Sequence, residues 1–188
     1  EKIISIASKN NIIVVVDEAY IDFADKKGLI EEIKYYNNIV LLRTFSKAWG
    51  MAGVRCGYCI ADEYIINTLM KVKAPYSINK LTARMILQAL NNVNIYNSFI
   101  GKIISEREKL ITELKTINKI FNVVSTDSNF ILFKVDEAKL VFKKLVAKNI
   151  VIRDRTNQKN LDGYLRVSIG TEEENKLFIT ELRNILCS

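Results

Sequence analysis

Ile12-Ile13-Val14-Val15-Val16-Asp17-Glu18-Ala19-Tyr20 is the stretch whose reading decides the fold. An unbroken apolar run that stops abruptly at two carboxylates has the length of a strand, and its lack of polar alternation predicts a parallel strand buried on both faces. Working outward, Ile39-Val40-Leu41-Leu42 reads as a second all-apolar strand and Cys56 to Ala61 as a third. Between the first two, Gly28 to Asn38 has helical spacing. After the third, Asp62-Glu63 caps a helix running to about Lys73. Strand, helix, strand, strand, helix, with apolar strands, predicts an α/β fold with a mostly parallel sheet.

The rest of the chain has another rhythm. The only proline, Pro75, stops the preceding helix. Helical patterns follow over Asn79 to Asn91 and from Ile95 to about Ile117, the second with Ile103, Ile104, Leu110, Ile111 and Leu114 on one stripe. Phe121 to Val124, Asn129 to Val135, Ile150 to Ile152 and Tyr164 to Ile169 read as short strands. Ala138 to Lys148 and Glu172 to Cys187 read as helices, the last capped by Thr171 with acidic residues in its first turn. This predicts two domains: part of a larger α/β domain over residues 1–93, and a smaller α+β C-terminal domain over 94–188.

Composition narrows the function. The chain has 188 residues, 49% hydrophobic and 26% charged, within the range of one or two ordinary globular domains. No apolar run approaches the ~18 residues of a membrane span, and no leader pattern opens the chain, so a cytoplasmic protein without a membrane partner is expected. The +7 charge is scattered rather than gathered into a stripe, which argues against a nucleic-acid partner. With no histidine, His-based triads and the commonest zinc ligand are excluded, and no metal site is expected. Cys56 and Cys59 have C-x-x-C spacing but fall in a strand, where positions three apart face opposite sides; buried free thiols are the expectation.

The chemistry gathers past the strand ends, where open parallel sheets bind ligands. Asp17 stands at one such end, where a carboxylate could cap a helix, bind a cation or hold a proton on a ring nitrogen. Past the next lie Thr44, Ser46 and Lys47, in Thr44-Phe45-Ser46-Lys47-Ala48-Trp49-Gly50-Met51-Ala52-Gly53-Val54-Arg55-Cys56-Gly57-Tyr58. A lysine amine can form a Schiff base with a carbonyl, and partial desolvation beside Arg55 would favour its neutral, nucleophilic form. Gly50 and Gly53 would let backbone turn sharply or approach a ligand, and Arg55 could present its planar fork to a phosphate. Acid, amine, hydroxyls and arginine together describe a pocket for pyridoxal 5'-phosphate.

The stretches VVVDEAYIDF (Val14 to Phe23) and TFSKAWGMAGVRCGY (Thr44 to Tyr58) resemble the fold-type-I pyridoxal-phosphate enzymes. With the tail IVIRDR…GYLRVSIGTEEEN (Ile150 to Asn175), the resemblance narrows to the histidinol-phosphate aminotransferase family. It implies an aminotransferase of histidine biosynthesis that exchanges an amino group between histidinol phosphate and 2-oxoglutarate. It further implies that Lys47 holds the cofactor aldehyde and moves the substrate proton, that Asp17 pairs with the ring nitrogen, and that Tyr20 bonds the phenolic oxygen. Thr44, Ser46 and Arg55 would hold the cofactor phosphate, Arg166 a substrate carboxylate, and Arg153 the substrate phosphate; Asn129 lies near where relatives contact substrate.

Members of that family are nearly twice this length, so the chain is expected to be a C-terminal portion, little active alone and homodimeric when complete. Two rival readings remain. A threonine-phosphate decarboxylase would share the lysine chemistry, and a non-catalytic relative would keep the fold but has little need to keep Lys47.

Overall fold

The computed structural model describes residues 2–187. Backbone contacts divide the chain into one compact unit up to Ser98 and a second from Phe99.

The first unit opens with helix α1 (Lys2–Lys9), which buries Ile4 and Ala7. Strands β1 (Val14–Asp17), β2 (Ile39–Thr44) and β3 (Gly57–Ala61) form one sheet in that order. β1 and β2 run parallel, with Asp17 opposite Leu42, and β3 returns antiparallel, with Thr44 opposite Gly57. The parallel pair brings the carboxyl ends of β1 and β2 together. Helix α2 (Glu63–Val72) starts at Asp62, whose carboxylate accepts from the Tyr64 N–H, and α3 (Lys80–Leu90) at Asn79, whose amide oxygen accepts from the Thr82 N–H. The core is thin: Ile4, Ile39 and Leu41, with Val14, Val16, Ile30 and Ile33 packed against them.

Two expectations fail here. β1 is not buried on both faces: Val14 and Val16 pack into the core, while Val15 is 59% exposed. α1 and the Ile30–Lys34 turn pack on the face of Val14, Val16, Ile39 and Leu41; on the opposite face Val40 is buried while Val15 and Leu42 stay exposed. The helix expected over Gly28 to Asn38 is only a short 3-10 helix, Ile30–Lys34. Its span is pinned at both ends. The Leu29 N–H donates to Glu18 Oε1 at 2.7 Å, and Asn38 Nδ2 donates to the Ile12 carbonyl at 2.9 Å.

Helix α4 (Val93–Lys115) crosses the boundary between the units. In the second unit, β4 (Ile120–Val124), β5 (Phe130–Val135), β6 (Arg153–Asp154) and β7 (Tyr164–Ser168) form an antiparallel sheet in the order β4-β5-β7-β6. β5 alternates cleanly, burying Ile131, Phe133 and Val135 and leaving Phe130, Leu132 and Lys134 half-buried on the other face. The buried face packs on Leu110, Ile111 and Leu114 of α4, on Val141 and Leu145 of α5 (Ala138–Ala147), and on Phe178 and Leu182 of α6 (Glu172–Cys187). α6 begins with a capping box: Thr171 Oγ1 accepts from the Glu174 N–H at 3.3 Å, and Glu174 Oε2 accepts from the Thr171 N–H at 2.8 Å.

Ile150-Val151-Ile152 is not a strand; pairing begins only at Arg153. The Ile150 N–H still bonds back to the Leu145 carbonyl at 3.0 Å, closing the end of α5 through Asn149 at φ 60°. Among the described residues no helix is long and apolar enough to cross a membrane, and no cluster of carboxylates and cysteines could hold a metal.

Candidate active site

In the first unit, β2 ends at Thr44 and a closed loop carries the chain back to β3. The Phe45 N–H donates to the Cys56 carbonyl at 3.2 Å, the Met51 N–H to the Phe45 carbonyl at 3.0 Å, and the Gly50 N–H to the Lys47 carbonyl at 3.0 Å. Gly50 takes φ +62°, which a side chain would strain. Gly53 sits in a short 3-10 turn, Ala52–Val54, with open space where a Cβ would stand. Rings brace the loop: Phe45 lies 5.5 Å from both Trp49 and Tyr58, and Trp49 lies 5.0 Å from Tyr96. Phe45 and Ala48 point inward, and Lys47 between them is displayed outward.

Lys47 Nζ lies 5.2 Å from the centre of the Tyr20 ring, within cation–π range. Two stretches 27 residues apart in sequence (47 − 20) therefore meet at the adjoining ends of β1 and β2. The partial desolvation expected for Lys47 is not seen: its side chain is exposed, because the loop presents it away from the buried Phe45 ring.

Asp17 is also exposed, and its Oδ1 accepts from the Ala19 N–H at 3.0 Å. Thr44 Oγ1 donates to the Cys56 carbonyl at 3.3 Å and accepts from the Ser46 N–H at 3.0 Å, so this hydroxyl already shapes the loop. Arg55 is left-handed at φ 54°, a conformation that costs a non-glycine residue roughly 1–3 kcal/mol. One guanidinium N–H donates to the Ala52 carbonyl at 3.2 Å, and the exposed remainder keeps several donors for an anion. Cys56, Cys59 and Cys187 are free thiols, the first buried and the last exposed.

In the second unit, Arg153 and Arg166 are direct partners across the β6–β7 ladder. Their side chains therefore leave the same face of the sheet, where like charges directly opposite destabilise the pairing. An anion between them would reverse that sign. The Arg166 guanidinium lies 4.8 Å from the centre of the Phe130 ring, which holds it against the sheet. Asp154 is turned to its own loop: its Oδ1 accepts from the Thr156 N–H at 2.8 Å, and this backbone bond with the Thr156 hydroxyl pulls the carboxyl below its ordinary range. Asn129 immediately precedes β5, and its carbonyl accepts from the Ile169 N–H at 2.9 Å.

The class I and II aminotransferase model matches residues 1–182, and the chain belongs to that family. It is 42% identical over 183 residues to a histidinol-phosphate aminotransferase of Flavobacterium johnsoniae, an alignment covering 97% of this chain and 52% of that protein. The crystal structure of the histidinol-phosphate aminotransferase from Clostridium acetobutylicum superposes with a TM-score of 0.92 at 26% identity, over 99% of this chain and 57% of that one. The L-threonine-O-3-phosphate decarboxylase of Porphyromonas gingivalis shares the fold, with a TM-score of 0.87 at 24% identity over 100% of this chain and 58% of that one. The chain spans about half the length of the curated relatives it matches.

Sequence reasoning missed the polar groups beneath these sites. Glu18 is buried, and its Oε2 accepts from Arg43 Nε at 2.9 Å and Nη2 at 2.8 Å. Burial pulls the Arg43 guanidinium down, but the bonds and charge of Glu18, with Tyr58, hold it above its ordinary value. Arg107 is likewise buried in α4 and donates to the Ser128 carbonyl at 3.2 Å, just before β5. Signals existed for both. Glu18 and Arg43 interrupt apolar strands at the same end, and Arg107 lies at helical spacing within the stripe of Ile103, Leu110, Ile111 and Leu114.

Proposed function

We propose that this chain carries the lysine-bearing part of a pyridoxal-phosphate-dependent aminotransferase acting on histidinol phosphate and 2-oxoglutarate. The meeting of Lys47 with Tyr20 at two parallel strand ends carries the reading, because it joins the amine to the Asp17 segment in the fold. Identity of 42% to the Flavobacterium johnsoniae enzyme supports the substrate assignment.

The residues fit the cofactor chemically: a carboxylate for a ring nitrogen, an amine for an aldehyde, and hydroxyls with a strained, exposed arginine for a phosphate. When bound, pyridoxal phosphate supplies an aldehyde and a ring that accepts the electron pair released at the substrate carbon. Asp17 holds the proton on the ring nitrogen through its charge. Tyr20 donates to the phenolic oxygen. Ser46 and Arg55 bind the phosphate, with Thr44 setting the Ser46 backbone. The Lys47 amine, once free, moves the proton at the substrate carbon beside it, work worth about 10²–10⁴ in rate. Arg166 takes a substrate carboxylate and Arg153 the substrate phosphate, relieving their mutual repulsion; Asn129 contacts substrate. The whole enzyme works as a homodimer on these small molecules.

The test supplies the full-length enzyme with histidinol phosphate and 2-oxoglutarate, then with threonine phosphate, following glutamate and carbon dioxide. Glutamate from the first pair supports the reading. Carbon dioxide from threonine phosphate without glutamate from the first pair overturns it in favour of a decarboxylase.

A further inference from the structure

Glu18 and Arg43 each sit one residue from a proposed site residue: Glu18 follows Asp17, and Arg43 precedes Thr44. β1 and β2 are parallel and in register, so side chains alternate together. Asp17, Leu42 and Thr44 belong to one face of the strand ends, where Asp17 and Leu42 are exposed. Glu18 and Arg43 belong to the opposite face, with side chains only 5% and 19% exposed. The ladder also continues one step past β1, as the Glu18 N–H donates to the Leu42 carbonyl at 2.8 Å.

One carboxylate ties three segments here. Its Oε2 takes both arms of the Arg43 fork, and its Oε1 takes the Leu29 N–H at 2.7 Å. Gly28 is fitted to it: φ is +70°, and an added Cβ would stand 2.6 Å from Oε1. The Glu18 carbonyl accepts from the Ile21 N–H at 3.1 Å, opening the turn that carries Tyr20. Such a tie is costly to desolvate, and a surface this close to solvent does not need it for burial alone.

We propose that the Glu18–Arg43 pair is the positioning device of the cofactor site, setting Asp17 and Tyr20 on one strand end and Thr44 on the other from the reverse face of the sheet. This rests on the reading of Lys47 and Asp17 as cofactor residues. Glu18 touches no cofactor; it acts through the residues beside it.

A double-mutant cycle tests it. Pyridoxal phosphate is titrated into the full-length protein as wild type, Glu18→Gln, Asp17→Asn and the double variant, reading affinity and the pH midpoint of the bound absorbance band. Glu18→Gln is expected to weaken binding about tenfold, equal to about 1.4 kcal/mol, and to move the midpoint; both effects should largely vanish in the Asp17→Asn background. Arg43→Lys, which keeps the charge but not the fork, should repeat the pattern and serves if Glu18→Gln fails to fold. Unchanged affinity and midpoint, or the same increments with and without Asp17, overturns the proposal. Failure of the underlying reading looks different: a Lys47→Ala protein would then give the wild-type band.

Discussion

The two units of this chain solve stability differently. The second has a four-stranded antiparallel sheet with one face wholly covered, from Leu110 on α4 through Phe133 and Leu165 to Leu182 on α6. The first gathers only Ile4, Ile39 and Leu41 into a cluster, buries residues such as Phe23, Phe45 and Ile65 outside it, and leaves Val15, Val72 and Tyr76 exposed at 59%, 81% and 96%. It also carries specific polar ties, above all Glu18 to Arg43 and Leu29. In the unit with the lysine loop, scattered buried residues such as Phe23, Val40, Phe45 and Ile65 add to that cluster, and directed hydrogen bonds tie the strand ends that carry Asp17 and Thr44.

That contrast can be broken at its strongest points first. Phe133 is fully buried with Phe178 at 5.9 Å, so Phe133→Ala should cost about 3–5 kcal/mol in denaturant unfolding, whereas Val15→Ala on exposed β1 should stay within about 0.5 kcal/mol. Glu18→Ala leaves the partly covered Arg43 guanidinium without its carboxylate and should cost about 1–3 kcal/mol, seen as lost hydrogen-exchange protection in β1 and β2 and unchanged protection in β5 and β7. Equal loss in both sheets would contradict separate support. Arg55→Ala should leave folding intact, since the side chain is exposed, but remove charge-assisted bonds worth about 1.5–3 kcal/mol to the cofactor phosphate. A titration of pyridoxal phosphate checks this as a weakening of about 10- to 100-fold.

A smaller effect separates the units by pH. Burial raises the Asp22 carboxyl above its ordinary range, against the charge of Arg43 and with that of Glu18, while Thr156 lowers Asp154. A raised carboxyl favours the folded state in its protonated form, so the Asp22 contribution is present at low pH and is lost as pH rises through its folded value. A lowered one has the opposite sign, and the Asp154 contribution disappears as pH falls through its folded value. Carboxyl NMR titration should place Asp22 above and Asp154 below an unfolded aspartate; the reverse order would refute the assignment.

Much of this was legible in the sequence because it depends on local pattern. Apolar runs gave β2, β3 and β5, helical spacing gave α2 to α6, and Asp62 and Thr171 announced their helices. What was not legible depended on distant partners. The 3-10 turn after Gly28 is set by Glu18, eleven residues away, and β6 starts at Arg153 because the end of α5 claims Ile150. The exposed face of β1 reflects which elements lie over it, and composition carries no such information. Among site residues, motif order named Lys47, Asp17 and Tyr20, but only the fold puts Arg153 opposite Arg166.

Everything proposed for the site turns on Lys47 as the amine that would capture the cofactor aldehyde. The direct measurement is to add pyridoxal phosphate, reduce with borohydride, and map the phosphopyridoxyl group by peptide mass spectrometry. Label is expected on Lys47 and lost in Lys47→Ala. Label spread evenly over exposed lysines such as Lys2, Lys71 and Lys115, with Lys47 unremarkable among them, would contradict it.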